Sequence, residues 1–215
     1  MIETAAGLVL RTRPLTETSL IVNWLTPGLG RLATVAKGAR RPKSPFRGKL
    51  DLFYLAEFSF SRSRRSELHT LREVSLKETH SGLREDLGLL QQASYCAALV
   101  EQTTETETPL PRVFDLMLGS LRHLLAQPLQ AATVFAFELK LLTELGLKPD
   151  LDRSKLSSGT KQVVRALAEN DWPVVARLRP TAAQAAELGH FLHAFLIYHL
   201  GRIPKGRNAA LGLPT

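Results

Sequence analysis

Cysteine is almost missing from this 215-residue chain: Cys96 stands alone. That excludes an intrachain disulfide framework and any cysteine-rich zinc site. Long apolar runs are missing too; none approaches the roughly eighteen residues that a membrane helix requires. The opening MIETAAGLVLRTRPL has no basic stretch followed by a long apolar one, so no signal peptide is expected, and a cytoplasmic protein without a membrane partner is the economical reading. Catalytic patterns are lacking as well. There is no nucleophile elbow and no cluster of carboxylates spaced for two-metal or acid–base work, and Asp150 and Asp152 flank a leucine in what reads as a turn. GLGRLA at 28–33 has the spacing of a dinucleotide fingerprint, but Pro27 precedes it and a β-branched strand follows where a helix should begin. SSGTK lacks the order of a phosphate loop. Binding, not covalent chemistry, is the expected activity, with no catalytic residue, no cofactor and no metal.

Positive charge is present in excess and unevenly. The chain carries a net +8; residues 1–80 hold fourteen Lys/Arg against seven Asp/Glu, and residues 81–215 hold fourteen against thirteen. Nearly all the excess therefore lies in the first third, as expected of a polyanion-binding module joined to a more neutral one.

That first third reads as strands. AAGLVLRT, TSLIVNWLT, RLATVAKG, DLFYLAEFSFSRS and LHTLREVSLKE are short and rich in β-formers, with Pro27, Gly28 and Gly30 forming a hairpin turn between the second and third. In the fourth, Leu52, Tyr54, Ala56, Phe58 and Phe60 fall on one face at period two. Five short strands in about eighty residues suit a small closed barrel. From Ser81 the period becomes helical, through Leu83, Leu87, Leu90, Ala93, Ala97 and Val100. TTETETPLP breaks the pattern. RVFDLMLGSLRHLLAQ, AATVFAFELKLLTELG, TKQVVRALAEN and TAAQAAELGHFLHAFLIYHLG read as further helices, with Gly146 as a C-terminal cap and Thr181 as an N-cap. The expectation is an α+β chain: a five-stranded barrel over residues 1–80, then an α-helical domain over 81–215.

The candidate binding residues cluster between strands. VAKGARRPKS, with Lys37, Arg40, Arg41 and Lys43, runs on to Arg47 and Lys49; Phe46 lies among them, Arg31 precedes them, and Arg62, Arg64 and Arg65 crowd the next turn. Small barrels bind single strands by tracking the backbone with cations while aromatic faces stack on bases. The competing reading is a solvated, self-repelling loop. Lys205 and Arg207, beyond the last helix, would extend the positive surface if the tail folds back, or simply serve a helix C-terminus. His190 and His193, with Glu187 one turn earlier, have a spacing a metal could use, but the apolar helix around them favours a structural role; His69, His80 and His123 carry no ligand pattern, and Cys96 reads as core.

Several of these strings resemble a known family. GLVLRTRPLTETSLIVNWLTPGLGRLATVAKGARRPKS is similar to the opening of RecO, the bacterial recombination mediator and DNA repair family; ELHTLREVSL resembles its fifth strand, and FELKLLTELGLKPDL its helix closing on LG..P.L. The resemblance implies an N-terminal OB-fold followed by an α-helical domain and a nucleoid-associated location. It also implies binding of single- and double-stranded DNA, annealing of complementary strands, and partnership with RecR. With RecR such proteins help RecA onto DNA coated by single-strand-binding protein, whose acidic C-terminal tail docks on the mediator. The DNA-contacting role carries over to Lys37, Arg40, Arg41 and Lys43. The chain departs from the pattern after LG..P.L, where many members carry four zinc-binding cysteines and DLDRSKLSSGTKQ has none. An RNA-binding barrel and an acidic-peptide-binding scaffold remain as alternatives from other classes.

Overall fold

Thirteen residues, Ile2–Pro14, buried continuously from Gly7 to Leu10, form β1, followed by β2 (Leu20–Thr26), β3 (Gly30–Ala36), β4 (Leu55–Ser61) and β5 (Leu68–Glu78) in a computed structural model that describes residues 2–213. They close in the order β1-β2-β3-β5-β4, antiparallel except for a three-residue parallel seam, Ala33–Val35 against Leu68–Thr70. This is the OB-fold arrangement. Its interior is apolar and aromatic: Val9, Val22, Leu32, Phe60, Leu71 and Val74 surround Trp24, which stacks on Phe58 with ring centroids 4.1 Å apart. The Trp24 indole N–H donates to Thr34 Oγ1 at 2.9 Å, so even the polar atom of that ring is satisfied inside.

β4 starts later than its sequence suggests. Phe53 takes a left-handed backbone with φ 64° and buries its ring, which interrupts the period-two run before Ala56, Phe58 and Phe60 resume it. The Phe53 amide donates to Val9 O at 2.8 Å and the Val9 amide to Tyr54 O at 2.9 Å, so the kink still pairs with β1.

The chain divides into two compact units: residues 1–80 with 104–115, and residues 81–103 with 116 onward. In the second, a 3-10 turn (Ser81–Arg84) precedes α1 (Leu87–Thr103), α2 ends at Ala126 after starting at Pro111, and α3 spans Ala131–Glu144. There follow α4 (Ser158–Glu169), the single-turn α5 (Trp172–Val175), α6 (Ala182–Leu200) and the single-turn α7 (Arg207–Ala210). Phe135, Leu139 and Leu142 of α3 meet Val164 and Leu167 of α4 and Leu188, Leu192 and Leu196 of α6 in one core.

Caps set the helix ends. Gly146 (φ 74°) donates to Thr143 O and Leu147 to Leu142 O, the paired bonds of a Schellman motif closing α3. Thr181 and Gln184 cap each other reciprocally at the start of α6. Glu187, set beside the histidines by spacing, is instead committed to α4. Its carboxylate accepts the Ser157 amide at 2.7 Å, the Ser157 hydroxyl at 2.8 Å and the Thr160 hydroxyl. The Thr160 hydroxyl, then the Ser157 amide and hydroxyl, hold this carboxyl below its ordinary value. A depressed folded-state value stabilises the fold above the unfolded carboxylate range, about pH 4.3, and the contribution disappears as pH falls through the lower value. Acid unfolding of the helical unit, followed by circular dichroism, should therefore show a component below about pH 4.3 that Glu187→Gln removes. Identical acid profiles for the two proteins would refute that role.

Candidate nucleic-acid interface

The basic tongue leaves β3 at Ala36 and is folded rather than loose. Successive turns run through it: Ala39 donates to Ala36 O, Arg41 to Gly38 O, Ser44 to Arg41 O, Arg47 to Ser44 O and Lys49 to Phe46 O. Gly38 supplies a positive φ of 69° for the first of them. The Arg40 amide donates to Thr18 O at 2.9 Å, tying the tongue to the β1–β2 turn, and Phe46 anchors its far side in the barrel core. Backbone bonds therefore fix the path while Lys37, Arg40, Arg41, Lys43 and Arg47 stay exposed and Lys49 half-exposed. No carboxylate pairs with any of these six among the described residues.

Two expectations are corrected by burial. Phe46 is 7% exposed, so it belongs to the core and offers no face for base stacking. Closing a barrel this small requires large side chains inside it, and its aromatics are used for that. Arg207 is 6% exposed and paired with Glu138, which removes it from any binding surface. Lys205 is exposed in the helical unit, lining a cleft with His193, Ile203 and Pro204.

Two further arginines are half-committed. Arg31 donates through Nε to Thr104 Oγ1 at 2.7 Å and through Nη2 to Thr104 O. Arg62 grips Glu3 (Nε–Oε1 2.7 Å) and Glu107 (Nη1–Oε1 2.8 Å), and its hydrogen bonds hold the Glu3 carboxyl below the usual carboxylate value. Arg64 and Arg65 remain exposed on the same β4–β5 turn. Because β5 enters beside Ala33 and runs parallel to β3, this turn lies toward the start of β3, and the tongue lies at its end. Cationic loops thus flank β3 at both ends. Sequence reading passed over Arg11 and Arg13, exposed on the end of β1 whose register with β2 and β3 leads to the tongue; the alternation Arg-Thr-Arg was the available signal. Among the described residues no group of three or more His, Cys, Asp or Glu side chains is placed to hold an ion.

A closed five-stranded OB barrel is an architecture that serves oligonucleotide and oligosaccharide binders, and exposed cationic loops favour an anionic ligand. Comparison with known proteins is more specific. The profile described as "Recombination protein O N terminal" matches residues 1–80, and "Recombination protein O C terminal" matches residues 84–157. The DNA repair protein RecO of Bacillus pumilus is 31% identical over 94% of this chain and 81% of its own length. That of Bacillus subtilis is 34% identical over 71% of this chain and 59% of its own length, and that of Anaeromyxobacter dehalogenans 30% identical over 91% of each. The chain belongs to the RecO family of DNA repair proteins.

Proposed function

We propose that this chain is a DNA-binding recombination mediator with no covalent chemistry of its own. It binds single- and double-stranded DNA, anneals complementary strands and, with RecR, helps load RecA onto DNA coated by single-strand-binding protein. The observation that carries the reading is the tongue: six cations on a path fixed by backbone hydrogen bonds, with no carboxylate partner among the described residues. Such side chains neutralise phosphate and release counterions, and screening two strands from each other lets complementary bases meet. With the barrel aromatics inside, binding should depend on the backbone and little on base identity.

The helical unit supplies a seat for an acidic tail with an apolar end. Phe135 of α3, Ala185, Gly189 and His193 of α6, and Leu211 beyond α7 line an apolar groove of about 590 Å³, and the cleft holding Lys205 shares His193 with it. An apolar floor beside a cation suits such a peptide.

Oligonucleotide affinity followed across a salt series tests the DNA reading. Six contacts to a single strand give a log–log slope of about −4, a fall of a few hundred-fold between roughly 50 and 200 mM salt. A flat slope would sink the proposal. Competition by matched RNA, if equal or tighter, would move the reading to an RNA-binding barrel, since charge alone does not detect a 2′-hydroxyl.

A further inference from the structure

The segment between α1 and α2 is polar, proline-flanked and loop-like in sequence, yet residues 104–115 pack as part of the barrel unit. Thr106 bridges Arg31 in parallel, and the Glu107 amide donates to Arg31 O at 2.7 Å. Thr108 lies so close to Gly30 that a Cβ there would collide with its carbonyl. This strap holds Glu107 in a left-handed backbone, φ 54°, a conformation that costs a non-glycine residue free energy and persists where its surroundings impose it.

What the strain accomplishes is visible in the side chain. Glu107 Oε1 accepts from Arg62 Nη1 at 2.8 Å and from His69 Nε2 at 2.6 Å. His69 is 2% exposed and stacks on Phe60, and its other nitrogen, Nδ1, accepts the Ser63 amide at 3.2 Å. With Nδ1 accepting, the proton sits on Nε2 and is donated to Glu107. One carboxylate thus holds both ends of the β4–β5 turn: Arg62 where β4 leaves, and His69 where β5 enters, whose ring in turn accepts the Ser63 amide from the β4 end. Between those two holds lie Arg64 and Arg65.

We propose that Glu107 is a positioning residue of the DNA surface: by gripping Arg62 and His69 together it fixes the β4–β5 turn, so that Arg64 and Arg65 meet neighbouring phosphates as a preorganised pair. The inference rests on the DNA-binding reading above and adds a residue of the opposite charge to it. Preorganised cations lose less freedom on binding than cations on a loose turn. A carboxylate therefore raises affinity for a polyanion here, the reverse of what its charge alone would do.

That reversal supplies the test. Single-stranded oligonucleotide affinity would be measured for the full chain and for Glu107→Ala, Glu107→Gln and Arg64→Ala/Arg65→Ala, and for the last pair combined with Glu107→Ala. Glu107→Ala should weaken binding by about 3- to 10-fold although it removes a negative charge, and Glu107→Gln, which keeps the oxygen acceptor for Arg62 and His69, should restore most of the loss. In the Arg64→Ala/Arg65→Ala background, Glu107→Ala should weaken nothing further. Faster hydrogen exchange of the Ser63 amide in Glu107→Ala, but not in Glu107→Gln, would accompany the loss. Tighter binding by both Glu107 variants would overturn the inference, because the carboxylate would then act by charge alone. An equal loss in both arginine backgrounds would also overturn it. Salt-insensitive binding by the wild type is a different failure: it would overturn the DNA reading itself, while unchanged Ser63 exchange in Glu107→Ala would overturn the clasp alone.

Discussion

Replacing Arg40, Arg41 and Lys43 together with glutamate is expected to lower oligonucleotide affinity by about 10²-fold or more at roughly 0.1 M salt and to flatten the log–log slope by about two. The size of the effect follows from three features of the tongue. All three side chains are exposed, and no carboxylate among the described residues holds them, so their full charge is available to phosphate. The path of the backbone depends on turn hydrogen bonds and on buried Phe46; the side-chain tie from Arg40 Nη1 to Thr16 O at 3.3 Å is backed by the Arg40 amide bond to Thr18 O, so the loop should keep its fold after reversal. Reversal also places repulsion where attraction stood. A matched control reverses Arg153, Lys155 and Arg177, exposed cations of the helical unit, and changes net charge equally. If that control loses as much affinity as the tongue variant, net charge rather than the tongue carries binding, and the assignment fails. Strand annealing should fall with the tongue variant in the same proportion.

Breaking the Glu138–Arg207 pair is expected to destabilise the helical unit by about 3–5 kcal/mol. Glu138 on α3 is fully buried and Arg207 at the start of α7 is 6% exposed. Arg207 donates through Nε to Oε1 at 2.7 Å and through Nη2 to Oε2 at 2.9 Å, a two-point grip, and the Tyr95 hydroxyl of α1 donates to Oε1 at 2.5 Å. Burial first, and the Glu138 carboxylate second, push the Tyr95 phenol well up, so it remains a donor at any ordinary pH. Three helices thus meet on one carboxylate. Glu138→Gln leaves a guanidinium in the interior without its countercharge, the costly case. Glu138→Leu with Arg207→Met removes both charges and should recover much of the loss, since the net worth of a buried pair against apolar residues is small. Chemical denaturation monitored by helical circular dichroism reads both. A Glu138→Gln protein within about 1 kcal/mol of wild type would show that water or a neighbour compensates the guanidinium.

The same contrast between local and distant partners separates what the sequence made legible from what it did not. The barrel strands were readable because Ala56, Phe58 and Phe60 alternate with polar neighbours, and the ends of α3 and α6 because Gly146 and Thr181 are chemical signals that act within a turn. The strand read as starting at Asp51 starts at Leu55 because nothing local marks Phe53 for a left-handed backbone, which its amide bond to the Val9 carbonyl of β1 holds in place. Arg62 and Arg207 looked like surface cations for a related reason. A basic residue in a turn or tail reads the same whether or not a carboxylate from a remote segment meets it, and Glu107 and Glu138 do so here. The tongue was legible as a cluster of charge, but its turns and the Phe46 anchor follow from contacts with the β1–β2 turn and the core.

The strap that completes the barrel has a consequence for the order in which the protein is made. The last barrel strand ends at Glu78, whereas Thr106, Glu107 and Thr108, which pack against Gly30 and Arg31, come only after the whole of α1. At synthesis rates of about 5–20 residues per second, the nascent barrel waits on the order of one to six seconds with the start of β3 uncovered. An unpaired strand margin of that kind is where nascent chains stick to one another. Timed release of truncated nascent chains should therefore find the barrel protease-resistant only once the strap has left the ribosome.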